Sequence, residues 1–461
     1  MKTNNTSVSE IRSLLKGAVP KAVEATPFGT ALITAVTSAL DAVDPLTATA
    51  KQIDVQNGRL TIGEREFNLE EVNRIRVLGG GKGTLRMAEA VHSVLGERIE
   101  AGCIAVKADP HTTIRPIGNI SVITARHPVP DIGGQEAATR IMALARDLRQ
   151  TDLAIVLISG GASSLLTLPA PPLTLSDLGK TTTELLRVGA DIESVNTVRK
   201  HLSAIKGGRL MSAIYPANAA TLILSDVVGD AVSAIGSGPT VPDPGTFEDA
   251  LAVLNRFDLL NRIPKRVKER LIAGTEGNVS ETPKATDPIF HRSFSKVIGS
   301  GAIAANAAVR SLIDAGIHAV YEPTPLVGDA KEAAKRAVQR IDAVSERPAA
   351  VVFSGETTVT VEGEGKGGRN QELALAAAFE LQGRTNTLIL TLATDGGDGP
   401  TDAAGAVATA DTVERARQQG LDAKTHLRNN DAYTFFAALD DLLITGPTQT
   451  NVADLTIVLS W

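Results

Sequence analysis

Short apolar runs alternate with amphipathic stretches along this chain, and that rhythm predicts its elements. Residues 9–43 carry apolar positions at helical spacing and predict one or two amphipathic helices ending near Asp44-Pro45. "IDVQNGRLTI" then predicts a small hairpin with Asn57-Gly58 as its turn. Beyond it one pattern recurs, in which an apolar strand ends in glycines and a helix or turn follows. It appears in "VLGGGKGTLRMAEAV" at 77–91, in "AIVLISGGASSLL" around Ser159-Gly160-Gly161, and in "KVIGSGAIAANAAV" around Gly299–Gly301. It returns in "AAVVFSGETTV" around Gly355 and in "TLILTLATDGGDGP" around Asp395–Asp398. Helical periodicity fills the intervals at 135–150, 246–255, 329–343 and 371–381. Strands alternating with helices predict an α/β architecture with parallel sheets and ligand sites at the strands' carboxyl ends.

The polar, proline-containing stretch "GTEGNVSETPKATDP" reads as a linker, or alternatively as a long surface loop inside one domain. It divides the chain into a domain at 9–273, a linker at 274–290 and a domain at 291–461. A length of 461 residues suits two or three domains. The net charge of −6 provides no basic field for nucleic acid, so an anionic substrate must be held by local Lys or Arg. Only 3% of residues are aromatic, which argues against base stacking. The single cysteine, Cys103, fits a reducing cytoplasm. Residues 1–16 lack the apolar core of a signal peptide, and no run reaches membrane-spanning length.

Several stretches carry candidate chemistry. The run Gly79, Gly80, Gly81, Lys82 and Gly83 has the strand–turn–helix layout of an anion-binding loop, with backbone N–H groups and a lysine near the anion. It matches neither the P-loop nor the dinucleotide template, since Gly83 follows Lys82 and Thr84 stands where a small apolar residue is required. Ser159, Gly160, Gly161 and Ser163 suit anion binding or a helix cap. "VRKHLSAIKGGRL" offers Lys206 and Arg209 to a phosphate, or is a solvated helical face. Asp226 and Asp230 in "ILSDVVGD" suit Mg²⁺ or turn chemistry. In "GETTVTVEGEGKGGRNQELALAAA", Glu356 ends a strand, a hairpin of Thr and Val follows, and Arg369 and Asn370 open a helix. An arginine there is unfavourable unless an anion answers it. Asp395, Asp398 and Asp402 lie in one stiff loop that suits a cation, a base or an acidic turn. His127 reads as a structural histidine.

These residues serve two chemistries. Phosphoryl transfer needs anion-binding turns, cations and a carboxylate to take the acceptor's proton. Hydride transfer would use G-x-G-x-x-A at Gly299, Gly301 and Ala304, with Glu322 after a second strand. A non-catalytic binding protein would not crowd charge onto its strand-end loops.

Taken in order, "LGGGKGTLRMAEAV", "RHPVPD", "LISGGASSLL", "VRKHLSAIKGGRL", "LSDVVGD", "GSGPTVPDP", "GETTVTVEGEGKGGRNQELALA", "TDGGDGPTDAAGA" and "LLITGPTQTNVADL" resemble the glycerate 2-kinases with a MOFRL C-terminal domain. Some members of that family are labelled hydroxypyruvate reductases. The resemblance implies a larger N-terminal Rossmann-like domain, a smaller C-terminal α/β domain and an active site in the cleft between them. It implies ATP- and Mg²⁺-dependent phosphorylation of D-glycerate at the 2-hydroxyl, in a cytoplasmic enzyme with no nucleic-acid or membrane partner, and leaves room for a homodimer. The family's loop lysine falls on Lys82 and the arginine of its "GGRNQE" motif on Arg369. Lys82, Arg369 and Asp226 are then the catalytic candidates. Gly80, Gly81, Ser159, Gly160, Gly161, Ser163, Lys206, Glu356 and Asn370 would bind substrate or phosphate, and Asp230, Asp395 and Asp398 would hold metal. Gly83, Val228 and Gly397 replace residues common in the family, which leaves the choice among hydroxy acids open.

Overall fold

The computed structural model describes residues 19–108 and 115–461. The chain forms two compact units, one of residues 45–298 and the other of 299–461 together with the segment ending at Asp44.

The 45–298 unit opens with a small antiparallel sheet of β1 (Ile53–Gln56), β2 (Arg59–Ile62) and β3 (Arg65–Asn68). Asn57 and Gly58 take φ of 51° and 73°, which the tight turn between β1 and β2 requires. The main sheet comprises β4 (Ile75–Gly80), β5 (Ile99–Lys107), β6 (Ile120–Ala125), β7 (Leu153–Ile158), β8 (Asn218–Leu224) and β9 (Ser293–Gly299). Its order is β6-β5-β4-β7-β8-β9, and the pairs from β6 to β8 are parallel. Every residue of β4 and β7 is buried, as expected of strands covered on both faces. Met87 and Val91 of the helix Thr84–Leu95 pack with Val77, Ile155 and Leu157 on one face. Ala138, Ile141 and Met142 of the helix Ile132–Arg146 pack with Leu78 and Val156 on the other. Counted along the chain, the strand order runs 3-2-1-4-5-6 and reverses between β4 and β7. In such a sheet the loops after those two strands diverge and leave a crevice for a ligand.

The other unit is built on β10 (His318–Asp329), β11 (Ala349–Thr358), β12 (Thr387–Ala393), β13 (Gly405–Thr409), β14 (Leu442–Leu443) and β15 (Asp454–Ser460). Their order is β10-β11-β15-β12-β13-β14. Leu388, Leu390 and Leu392 face one core with Leu455, Ile457 and Leu459, while Ile389 and Val458 face the other. Only β10 and β11 pair in parallel, so the expected all-parallel sheet is not found here. The last strand inserts antiparallel between β11 and β12, and strand–helix alternation carries no information about such an insertion.

The units also divide differently from the expected 9–273, 274–290 and 291–461. The helix Gly29–Ala42 buries Leu32, Ile33, Val36 and Leu40 in one core with Ala304, Ala308 and Leu312 of the helix Gly301–Asp314. Thr450 Oγ1 donates to the Val43 carbonyl at 2.7 Å, and Ala22 N donates to Asp441 Oδ1 at 2.8 Å. An amphipathic stripe shows that a helix packs but not on which sheet. The expected start of this segment, residues 9–18, lies outside the described residues. The linker expected at 274–290 belongs to the 45–298 unit through nearly all its length: Thr282 is buried, Glu281 Oε1 meets His201 Nε2 at 2.9 Å, and Asp243 N donates to Pro283 O at 3.0 Å. Its polar residues serve internal partners. Among the described residues, no helix is long and apolar enough to cross a membrane.

Leu32→Ala is expected to cost about 2–5 kcal/mol. Urea denaturation would show the loss in the unit built on β10–β15, because that is the core Leu32 fills.

Candidate functional site

The loop after β4 lies against the loop after β7, at the reversal of strand order. Ser159 fixes the two together. Its buried hydroxyl accepts from Gly83 N at 3.0 Å and lies 3.1 Å from Thr84 Oγ1. This approach needs glycine, since a Cβ at Gly81 would collide with Ser159 Oγ and one at Gly79 with the Leu157 carbonyl. Gly80 leaves room for Leu166 in the same way. The amides of the turn are already used. Gly81 N donates to Ala105 O, Lys82 N to Gly160 O and Thr84 N to Gly81 O. The turn therefore does not offer the row of free N–H groups expected from its glycines. What it offers is Lys82, which makes no ion pair among the described residues.

Two further groups face Lys82. A Cβ at Gly161 would stand 3.0 Å from His127 Cδ2 and 3.3 Å from Lys82 Cγ, so a glycine lets both side chains pass. A Cβ at Gly160 would stand 2.5 Å from Asp226 Oδ2. Burial pushes the Asp226 carboxyl above its ordinary value, against the pull of Lys82 and the Gly161 amide. Burial lowers His127 to about 4, helped by Lys82 and Lys107, so its ring is neutral near pH 7. In the sequence His127 reads as structural, and Thr84 as the residue that breaks the dinucleotide template.

Other expected ligands of an anion serve the fold. Ser159 is committed as described. Ser163 Oγ meets Ser237 Oγ at 2.8 Å. Lys206 is 3% exposed and donates to the carbonyls of Ser163 and Leu166 at 2.8 and 2.7 Å, which ties down the short helix Ala162–Leu165. Its expected reach to a phosphate is not seen, because the side chain is buried and two of its three donors are used on interior carbonyls. Asp230 occupies a turn with φ of 53° and makes no ion pair among the described residues.

In the other unit Arg369 opens the helix Arg369–Glu380. The anion that answers it is on the chain. Its Nε and Nη2 hold Asp454 at 2.6 and 2.8 Å, and Nη2 lies 3.3 Å from Glu356. Burial opposes the arginine's charge, but Asp454 and Glu356 more than offset it and keep the group protonated. Nη1 is left without a protein partner among the described residues. The sequence reading missed Asp454, although a single carboxylate at the head of "DLTIVLS" was a readable signal.

Asn370 is buried, with its amide on Asp398 Oδ1 at 3.1 Å, and Gln371 N donates to Asp398 Oδ2 at 2.9 Å. Asp398 therefore caps this helix. It is wholly buried, and burial raises its carboxyl to about 6 against the pull of those amides. It does not suit the metal role expected of it. Asp395 accepts from Gly397 N at 3.2 Å, a turn contact. Asp402 accepts from Tyr433 Oη at 2.7 Å. Among the described residues no group of three or more His, Cys, Asp or Glu side chains is placed to hold a metal. The expected hairpin after Glu356 is also absent, since β11 ends at Thr358 and the amides of Glu362 and Gly363 donate to Asn430 Oδ1.

The dinucleotide pattern at Gly299–Glu322 does not form its motif. Its strand, β9, belongs to the sheet of one unit and its helix to the core of the other. Ser300 Oγ caps that helix by accepting from Ile303 N at 3.4 Å, and Glu322 is ion-paired with Arg340.

Comparison with known proteins agrees with this architecture. Residues 31–272 match the family described as a domain of unknown function (DUF4147), and residues 349–454 match the MOFRL family. The chain is 37% identical to a glycerate 2-kinase of Pyrococcus horikoshii over 92% of its own length and 95% of the relative's. It is 39% identical to a D-glycerate 2-kinase of Thermotoga maritima, over 84% and 91%. It is also 40% identical to an Agrobacterium vitis protein named only provisionally as a hydroxypyruvate reductase, over 85% and 89%. The crystal structure of the Thermotoga maritima glycerate kinase matches with a TM-score of 0.81 at 36% identity, covering 94% of this chain and 99% of that one. A Pyrococcus horikoshii crystal structure gives 0.82 at 36% identity, over 95% and 99%. The chain belongs to the MOFRL-containing glycerate 2-kinase family.

Asp454→Asn should lower stability by about 1–3 kcal/mol, because it leaves the Arg369 clamp half-satisfied in a buried setting. Glu356→Gln, at an exposed partner, should change it by less than about 1 kcal/mol. Thermal denaturation of the two variants separates these outcomes.

Proposed function

We propose that this protein transfers the terminal phosphoryl group of ATP to the 2-hydroxyl of D-glycerate, giving 2-phosphoglycerate. The carrying observation is Lys82, a lysine without an ion-pair partner among the described residues, held by an internally satisfied glycine turn where the strand order reverses. Phosphoryl transfer asks mainly for positioning and for fixed positive charge where negative charge spreads. Lys82 meets the charge on the moving phosphoryl group.

Asp226 takes the proton of the acceptor hydroxyl as its oxygen attacks. The burial that raises its carboxyl moves it toward the working pH, where a base is most effective. His127, neutral beside Lys82, can hydrogen-bond without adding charge. Nη1 of Arg369 suits a carboxylate such as that of glycerate, since Asp454 already fixes the plane of the guanidinium.

A magnesium ion fits Asp230 best. It needs only one or two protein carboxylates beside phosphate oxygens, and Asp230 stands four residues after Asp226 with no ion pair among the described residues. When bound it would neutralise charge between the phosphates. The buried Cys103, whose thiol burial pushes up to about 11, is inert and compatible with a cytoplasmic setting. The reductase reading loses its structural basis with the separation of β9 from the helix that follows it.

Purified protein supplied with ATP, Mg²⁺ and D-glycerate should yield 2-phosphoglycerate by phosphorus NMR. Hydroxypyruvate should give no oxidation of NADH or NADPH, and nicotinamide oxidation without phosphoryl transfer would overturn the proposal. Lys82→Ala should reduce kcat by about 10²–10³.

The pH profile is a separate check. Asp226 must be deprotonated to act, so activity should fall on the acid side, at higher pH than for an ordinary carboxylate. His127 titrates at about 4 and should add no limb near pH 6–7. His127→Asn should therefore leave the profile between about pH 6 and 8 unmoved in shape.

A further inference from the structure

The segment "VRKHLSAIKGGRL" reaches a place that the proposed reaction does not use. Within the 45–298 unit, a cavity of about 1030 Å³ is lined by Arg146, Arg209, Arg270, Lys284, Ser280 and Glu281, among others. Its walls include chain that enters the sheet. Arg146 ends the helix before β7, Tyr215 follows the helix before β8, and Pro288 precedes β9. Lys82 and Asp226 follow the carboxyl ends of β4 and β8 instead.

Charge in this cavity is unbalanced. Arg209 donates from Nη2 only to the Ser280 carbonyl, at 3.3 Å, and its Nε is buried with no partner. Arg270 donates to the carbonyls of His201 and Pro171, at 3.0 and 3.3 Å. Neither forms an ion pair among the described residues. Burial lowers both guanidiniums below the usual arginine range, Arg270 to about 10, and Arg209's charge adds to the effect on Arg270.

The nearby carboxylates are committed elsewhere. Glu281 accepts from Phe247 N, Thr282 N and His201. Asp243, which draws on Arg209 from a distance, is paired with Lys200 at 3.1 Å. Asp287 caps the turn at Pro288. Two neighbouring half-buried guanidiniums with no carboxylate in ion-pair contact among the described residues repel each other and are poorly solvated; Glu281 and Asp243 draw on Arg209 only from a distance, and a dianion placed between the two arginines would remove both costs.

We propose that this cavity, whose lining includes neither Lys82 nor Asp226, is a second anion site built to hold the phosphate group of a small phosphate monoester. Arg209 and Arg270 grip the phosphate, and Arg146 at the wall adds to the field, while Lys284 is paired with Glu281 at 3.8 Å. The cavity is larger than a phosphate ion and leaves space for the organic part of the ester.

The test is calorimetry on the full-length protein carrying Lys82→Ala, which silences anion binding at the glycine turn. Inorganic phosphate and glycerol 3-phosphate are titrated separately. One saturable equivalent of the ester is expected, with inorganic phosphate binding more weakly at the same site. Adding Arg209→Gln or Arg270→Gln should weaken binding by at least about tenfold, the loss of one charged hydrogen-bonding partner. Where either variant melts early, Arg146→Gln, at an exposed position, should still weaken binding by about threefold, as a nearby charge does. Absence of saturable binding would overturn the proposal. So would unchanged affinity in folded Arg209→Gln and Arg270→Gln proteins, which would place the ion elsewhere. In the chain with Lys82 intact, Arg270→Gln should leave turnover within about twofold.

Discussion

The buried hydroxyl of Ser159 sets the geometry on which the β4–β7 crevice depends. It receives the Gly83 amide and meets Thr84, and it can do so only because Gly79 and Gly81 have no Cβ to hold the two loops apart. A hydroxyl with no charge of its own thus determines where Lys82 stands. The cost is that the turn spends its amides on the protein. A phosphate arriving there meets a charged side chain and not a ring of N–H donors, so recognition rests on one lysine and its neighbours. The P-loop template fails for the same physical reason: the backbone that would cradle phosphate in that motif is here stitched to β5 and β7.

Several buried or half-buried arginines are answered by carboxylates, and that pattern gives meaning to the exceptions. Arg76, only 4% exposed within β4, holds Glu100 and Asp147, and Arg74 holds Asp147 and Asp152. Arg369 holds Asp454 and Glu356, and Arg415 holds Asp441. A buried cation is expensive without such a partner. Against that background Lys82, Arg209 and Arg270, which form no ion pair among the described residues, are placed to meet charge from outside the chain. Arg369 is intermediate: Asp454 occupies two of its nitrogens and thereby aims the third.

Legibility in the sequence followed periodicity and failed where tertiary partners decide. The strand-then-glycine rhythm located β4, β7, β9, β11 and β12, and Asn57-Gly58 located the first hairpin, because these are local consequences of burial and turn geometry. The direction of β15 was not legible, since an apolar run reads the same either way. Nor was the allegiance of residues 29–42, whose stripe could have packed on either sheet. Among the candidate residues, Lys82 and Arg369 could be singled out because a cation beside glycines or at a helix start is locally unfavourable. Lys206 looked equivalent, yet two carbonyls 40 and 43 residues upstream had claimed it. Asp398 looked like a ligand in a carboxylate cluster, but the helix beginning at Arg369 had taken both its oxygens.

The failure of the G-x-G-x-x-A pattern shows what a motif requires beyond its letters. Gly299, Gly301 and Ala304 sit at the spacing that would let a dinucleotide approach a helix start, and small residues there do permit close packing: a Cβ at Gly301 would stand 2.8 Å from Ser354 Cβ. Here, however, the closeness is used by the protein's own β11, while the amide a pyrophosphate would need is already bonded to Ser300. A dinucleotide loop works because strand and helix belong to one βαβ layer and so fix the pyrophosphate between them. In this chain the same letters mark the point where the polypeptide leaves one unit for the other. The glycine turn at Lys82 has the poorer match to any template and the better physical case, because its helix packs on the sheet that holds its strand and its charge has no ion-pair partner among the described residues.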